Sequence, residues 1–300
     1  MGGSIPYCVP DRQRDSHEPA LLRASRPGFS MPVTQPLGVL LAAGSTADVY
    51  ALGTSQVLKL YHHGSRPDAA QREADNARAA RDAGVPTPSV IDVVVRDGRA
   101  GLVFERVEGL TMLECIGADP LAAEAQAIQL ARLQAELHAR SGAGLPPQRQ
   151  QLEAGIARVT GLDASARAAI TASLERLPHG SSLCHGDFHP GNVILTAGGP
   201  SIIDWFGATC GHPALDAART GLLLQYAAVR LGPGAAVASL RARFHAIYLR
   251  HYCALSGIAE ADIAACILPV ATARLAYTRS AGELDALAQL IGGLLGELQA

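Results

Sequence analysis

The chain has 300 residues, 48% of them hydrophobic and 17% charged, with a formal net charge of -2. That is ample material for a buried core, which excludes an intrinsically disordered chain and a small disulfide-stapled scaffold. The near-neutral balance supplies no basic field to hold nucleic acid, so nucleic acid is not an expected partner.

Residues 1–30 are rich in Pro, Ser, Arg and Gly without periodicity and read as a disordered extension, with Met31 standing as an alternative start before the first strand-like pattern. Val33–Ala43, Ala47–Leu52 and Val57–Tyr61 are short β-favouring runs split by Gly44-Ser45-Thr46 and Gly53-Thr54-Ser55. Pro67–Gly84 reads as one amphipathic helix with Pro at its start and Gly after its end. Val90–Val95 and Gly101–Arg106 flank Arg96-Asp97-Gly98-Arg99, an Asp-Gly hairpin signal. Beyond Gly109 the pattern turns helical: Leu121–Arg140, then stretches near 150–160, 164–176, 213–230, 235–257 and 259–295. Ser182–His185, Val193–Thr196 and Ser201–Asp204 interrupt it as short strands around a polar loop. The expected organisation is α+β: the extension 1–30, a small antiparallel β-sheet lobe with one helix over 31–107, and a larger, mainly helical lobe over 108–300.

Six scattered cysteines, with no C-x-x-C pair among them, predict small buried thiols in a reducing compartment. No apolar run reaches the ~18 residues of a membrane helix, the N-terminus lacks a signal core, and Pro6 stands where a myristoylation signal needs Ser or Thr. A cytoplasmic protein with no membrane partner is the expectation. Among the 25 basic residues Lys59 is the single lysine. A codon bias towards arginine explains the other 24. It does not explain Lys59, where a compact point charge has been kept in place of a planar fork.

The densest polar cluster is Leu183-Cys184-His185-Gly186-Asp187-Phe188-His189-Pro190-Gly191-Asn192, followed by Ser201-Ile202-Ile203-Asp204-Trp205. Two acids and an Asn at strand ends suit a hard, oxygen-seeking Mg²⁺. His-Gly-Asp-x-x-x-x-Asn with a later Ile-Asp-Trp resembles the aminoglycoside phosphotransferase and choline kinase-like family, a branch of the protein-kinase-like fold, over roughly residues 38–220. The Asp-to-Asn spacing matches the kinase catalytic loop, and Asp204-Trp205-Phe206-Gly207 stands where protein kinases carry DFG.

The resemblance implies a bilobal kinase-like fold and an ATP- and Mg²⁺-dependent transfer of phosphate to a hydroxyl of a small antibiotic or metabolite. By it, Asp187 would be the catalytic base, and Asn192 and Asp204 would hold Mg²⁺. Lys59 would neutralise the α- and β-phosphates, with Glu73 aiming it. Gly44, Ser45 and Thr46 would turn above the phosphates, and Glu105 and Val107 would meet adenine through backbone groups. His185 would brace the loop, Asp216 would cap a helix or brace the loop, and His138 would be a satisfied core histidine. Cys184, His185, His189, Cys210 and His212 could suggest zinc, but beyond His185 and His189 at four apart they form no paired ligand set, and two histidines lack the further ligands a zinc site needs.

The glycine loop has only Gly44 of three expected glycines, and the activation segment of protein kinases is missing. The second departure disfavours a protein substrate. A catalytically idle nucleotide-binding module is the competing reading, opposed by the complete set Lys59, Asp187, Asn192 and Asp204. Beyond Trp205 six acids face seven arginines, so there is no acidic surplus for a polycationic aminoglycoside. An aromatic cage for a choline-like alcohol would have to come chiefly from Trp205, Tyr226, Tyr248 and Tyr252.

Overall fold

The computed structural model describes residues 36–66, 68–227 and 234–298. The expected extension over 1–30 and the Met31 start lie outside the described residues, as do positions 228–230 of the helix expected over 213–230. Five antiparallel strands come first: β1 (Leu40–Ala43), β2 (Ala47–Leu52) and β3 (Gln56–Tyr61), then, after helix α1 (Ala69–Asp82), β4 (Val90–Arg96) and β5 (Arg99–Glu105). The sheet order is β1-β2-β3-β5-β4, with Lys59 paired to Val49 on one side and Leu102 on the other. Positions 33–35 of the first expected strand also lie outside the described residues; residues 36–39 are not strand, and β1 starts at Leu40.

Asp97 and Gly98 both take positive φ (50° and 71°), the backbone of a type I′ turn whose twist matches the strands it joins. Alternation along β3 sorts its side chains onto two faces. Leu58 and Leu60 pack on the outer face with Leu52, Val94 and Val103, whereas Tyr61 packs against Ala69, Ala70 and Ala74 of α1. Lys59, two residues before Tyr61, therefore points to the helix side.

The helical lobe contains α2 (Met112–Ala118), α3 (Ala123–His138), α4 (Gln148–Arg158), α5 (Ala164–Arg176), α6 (Pro213–Tyr226), α7 (Ala235–Ser256), α8 (Glu260–Leu275) and α9 (Ala281–Glu297). Its short strands are β6 (Leu110–Thr111), β7 (Ser182–Cys184), β8 (Val193–Thr196), β9 (Gly199–Ile202) and β10 (Thr209–Gly211). They form a β6-β8-β9 sheet and a β10-β7 pair, which hang the polar loops over a core that includes Leu130, Leu137, Trp205, Tyr248 and Tyr252.

Three expectations need correction. The strand expected over Ser201–Asp204 ends at Ile202, because Asp204 adopts left-handed backbone (φ 67°). The helical stretch expected over 259–295 is two helices, broken at 276–280, and Arg274 pairs with Glu283 across the corner. Positions nine apart in one straight helix lie about 180° apart around its axis, so the pair requires the break. Of the five described cysteines, all free, only Cys184 and Cys266 are buried; Cys115, Cys210 and Cys253 are partly exposed. Among the described residues no single helix is long and apolar enough to cross a membrane.

Candidate active site

Lys59 projects from the middle of the five-stranded sheet into the space beneath α1. Its Nζ lies 2.8 Å from the Glu73 carboxylate and 2.9 Å from Asp204 Oδ1. Tyr61 donates its hydroxyl to Glu73 Oε2, so the carboxylate is gripped from two positions of one strand face. Burial by itself would lower the Lys59 pKa, but the carboxylates of Asp204 and Glu73 outweigh it and hold the ammonium charged well above its ordinary range. Burial raises the Glu73 pKa despite the neighbouring lysine.

The loop after β7 carries the second half of the site. Gly186 takes φ 78°, and a Cβ there would run into the Gly207 carbonyl, so glycine lets this loop lie against the Asp-Trp-Phe-Gly segment. Asp216, buried near the start of α6, accepts the N–H groups of His185 (3.1 Å) and Gly186 (2.8 Å). It is in turn held by His138 Nε2 (3.0 Å) and Gln134 Nε2 (3.2 Å), and Tyr252 lies 2.6 Å from His138 Nδ1. His138, Cys184 and Asp216 come close enough to suggest a metal cluster. The hydrogen bonds already on His138 and Asp216 account for both residues as a brace. His185, buried against Trp205, bridges the two loops: Nδ1 accepts the Asp187 N–H (3.2 Å) and Nε2 donates to the Ile203 carbonyl (3.0 Å).

Asp187 stands at the loop's apex. Burial opposes its charge, yet His189, Arg219 and Arg274 hold its carboxyl far below the usual carboxylate range. His189 Nε2 is 3.6 Å from Oδ2, and Arg219 Nη2 is 3.6 Å from Oδ1. Because His189 Nδ1 accepts the Gly191 N–H (3.0 Å), the neutral ring carries its proton on Nε2, facing the carboxylate.

Asn192 is oriented by its own amide. Nδ2 donates to the Asp187 main-chain carbonyl (2.9 Å), which leaves the side-chain oxygen without a donor among the described residues. The Asn192 carbonyl accepts the Ile203 N–H (3.0 Å), drawing the Asn and Asp204 segments together. Asp204 keeps 41% of its side chain exposed and gives one oxygen to Lys59. An amide oxygen and a carboxylate are hard donors of the kind Mg²⁺ takes, so the residues present fit that ion.

Between β1 and β2, Gly44 N–H bonds the Ala47 carbonyl (2.9 Å) and closes the turn through Ser45 and Thr46. At the lobe crossing the N–H groups of Glu105 and Arg106 are taken by Ser89 and Ser55 (2.9 Å each). Val107 is the next residue with a main-chain donor to offer. The structure thus gathers Lys59, Glu73 and Asp204 in direct contact, and Asp187 with Asn192.

The sequence profile of the phosphotransferase enzyme family matches residues 38–263. The chain belongs to this family. No protein of curated function matches the sequence. The fold is similar to a thermostable mutant of aminoglycoside phosphotransferase APH(4)-Ia in its apo form (20% identity, 89% of this chain and 95% of that one, TM-score 0.62). It is also similar to amicoumacin kinase hAmiN in complex with AMP-PNP and Ca²⁺ (17%, 89% and 90%, 0.57). A choline/ethanolamine kinase family protein from Mesorhizobium loti is comparable (18%, 87% and 88%, 0.57).

The arrangement also contains residues that the sequence motifs did not single out. Tyr61 buttresses Glu73. Asn76, three residues after Glu73 on the same helix face, donates to the Trp205 carbonyl (2.9 Å) and ties α1 to the Asp-Trp-Phe-Gly segment. Arg219, three residues after Asp216, reaches Asp187 while its Nε donates to the Gly186 carbonyl. Each lay at a helix or strand period from a recognised residue, which was the available signal. Conversely, Trp205, Tyr248 and Tyr252 are buried in the core and cannot wall an aromatic cage for a choline-like alcohol.

Proposed function

We propose that this phosphotransferase moves the γ-phosphoryl group of ATP to a hydroxyl of a small molecule. The observation that carries the reading is the convergence of Lys59, Glu73 and Asp204 in one contact group and of Asp187 with Asn192 in another, with the Asn192 carbonyl bonded to the Ile203 N–H beside Asp204. Phosphoryl transfer depends mainly on positioning and charge neutralisation, and this set provides both. Lys59, kept charged by its two carboxylates, meets the α- and β-phosphates. The turn at Gly44, Ser45 and Thr46 offers backbone N–H groups above them, and Glu105 and Val107 border the adenine. Asn192 and Asp204 would hold Mg²⁺, which when bound neutralises phosphate charge and orients the β- and γ-phosphates.

Asp187 accepts a hydrogen bond from the acceptor hydroxyl and aims its oxygen at the γ-phosphorus. A carboxylate is a weak base towards a free alcohol. The proton therefore crosses late, once the P–O bond to the acceptor is forming and the bridging bond to ADP is breaking. The short run from Asp204 to α6 gives no platform for a peptide, which favours a small acceptor. The nucleotide and antibiotic complexes known among the similarly folded kinases agree with this reading. Incubation with Mg²⁺, ATP and a panel of hydroxyl metabolites and antibiotics, read by ³¹P NMR, should show one class of phosphate ester accumulating with stoichiometric ADP. ADP formation without any ester across the panel would overturn the assignment.

A further inference from the structure

One guanidinium in the cleft has no part in the steps above. Arg219 leans along the catalytic loop with Nε donating to the Gly186 carbonyl, and its Nη2 stops 3.6 Å from Asp187 Oδ1, beyond hydrogen-bond distance. Guanidinium has five N–H groups, and among the described residues the Gly186 carbonyl is the one acceptor they meet. The side chain stays 22% exposed, and its two Nη groups make no hydrogen bond among the described residues. Its neighbour Arg274 also acts electrostatically on Asp187 and Arg219, but Glu283 neutralises that cation in a buried pair. The cation left with donors to offer beside the base is Arg219.

Its position relates it to the acceptor. The hydroxyl must sit within about 3 Å of an Asp187 oxygen, and the Arg219 fork borders that same carboxylate. A fork there favours a carboxylate or phosphate, either of which it can meet with two parallel N–H bonds, and repels an ammonium. Three of the four aromatic side chains that could have received a quaternary ammonium, Trp205, Tyr248 and Tyr252, are in the core, and Asp187 is the sole carboxylate within 4 Å of Arg219 among the described residues.

Resting on the kinase reading, we propose that Arg219 determines acceptor specificity by binding a carboxylate or phosphate group of the substrate close to the hydroxyl that is phosphorylated. The acceptor is then an anionic hydroxyl compound, with the anion a few bonds from the reacting oxygen, and neither a polyamine sugar nor a choline-like alcohol.

A matched three-carbon series tests this: glycerate, glycerol 3-phosphate, glycerol and 3-aminopropane-1,2-diol, titrated by calorimetry and NMR into protein saturated with Mg·AMP-PNP. At least one of the two anions should bind on the order of 10- to 100-fold more tightly than glycerol, with the amine weakest. The stronger of the two tells carboxylate from phosphate. Arg219→Gln should bring the anions down to glycerol's level while leaving Mg·AMP-PNP affinity unchanged. Arg219→Lys keeps the charge without the fork, should retain part of the preference, and serves if the glutamine variant does not fold. Equal binding of all four, binding of none, or a preference that survives Arg219→Gln would overturn the proposal. So would a loss of Mg·AMP-PNP affinity in Arg219→Gln, which would give the fork to the nucleotide. A wild-type protein unable to bind Mg·AMP-PNP would instead bring down the kinase reading itself.

Discussion

Lys59→Arg conserves charge at the one position where this arginine-rich chain holds a lysine, and it should still disable the enzyme. The ammonium meets Glu73 at 2.8 Å and Asp204 at 2.9 Å from a side chain only 12% exposed. A planar fork on a longer head cannot occupy that point between two carboxylates; it must give up one or push α1 away. Losing one charge-assisted hydrogen bond costs about 1.5–3 kcal/mol, which corresponds to roughly 10- to 150-fold in kcat/KM for ATP. Glu73→Gln should cost less, because Lys59 keeps Asp204 and the amide still accepts from Tyr61. The double variant should cost less than the sum, since the residues act as one unit. Steady-state ADP release at saturating acceptor measures all three. A Lys59→Arg enzyme within threefold of wild type, or strict additivity in the double variant, would refute the reasoning.

Three further outcomes follow from the same geometry. Asp204→Ala should move the magnesium midpoint of activity to higher concentration, because it removes a charged oxygen donor; unchanged midpoints would take Asp204 out of the metal site. His189→Ala, which frees both the Gly191 turn and one side of the Asp187 carboxylate, should lower kcat about tenfold with the KM for ATP unchanged; an altered KM with normal kcat would place it elsewhere. Asp216 is buried, which opposes its charge, but the bonds from His138 and Gly186 more than compensate and lower its pKa in the fold. A depressed carboxyl stabilises above the unfolded value of about 3.9 and loses that contribution as pH falls through the folded value. Asp216→Asn should therefore melt well below wild type at pH 7, with the gap narrowing on acidification below about pH 4; a gap that widens in acid would contradict this.

What was legible in the sequence was whatever is contiguous or compositionally singular. Asp187 and Asn192 share one loop with fixed spacing, Lys59 is the lone lysine, and Asp97-Gly98 names its own turn. Tyr61, Asn76 and Arg219 were not legible as members of the candidate site. Their periodicity put them on the right faces, but their roles depend on partners brought near by the fold, in the case of Asn76 a carbonyl 129 residues away. The break between α8 and α9 carries no Gly or Pro at 276–280, and the Arg274–Glu283 pair that spans it is a contact a local pattern cannot announce. The short helix α2 falls within the helical pattern beyond Gly109, and its start is fixed by Thr111 and Glu114, which form a reciprocal capping box that the sequence spells out. The aromatic candidates misled for the opposite reason: composition counts tyrosines and tryptophan but does not say that three of the four are core.

The central claim is that Asp187 orients and deprotonates the acceptor while the nucleotide is held by other residues. Asp187→Asn separates the two most directly, in a single-turnover measurement of ester formation beside a titration with Mg·AMP-PNP. The account predicts transfer slowed by about 10²–10⁴-fold with nucleotide affinity within a few-fold of wild type. Transfer that survives at near-normal rate would contradict the claim, as would a variant that loses nucleotide affinity in proportion to its rate.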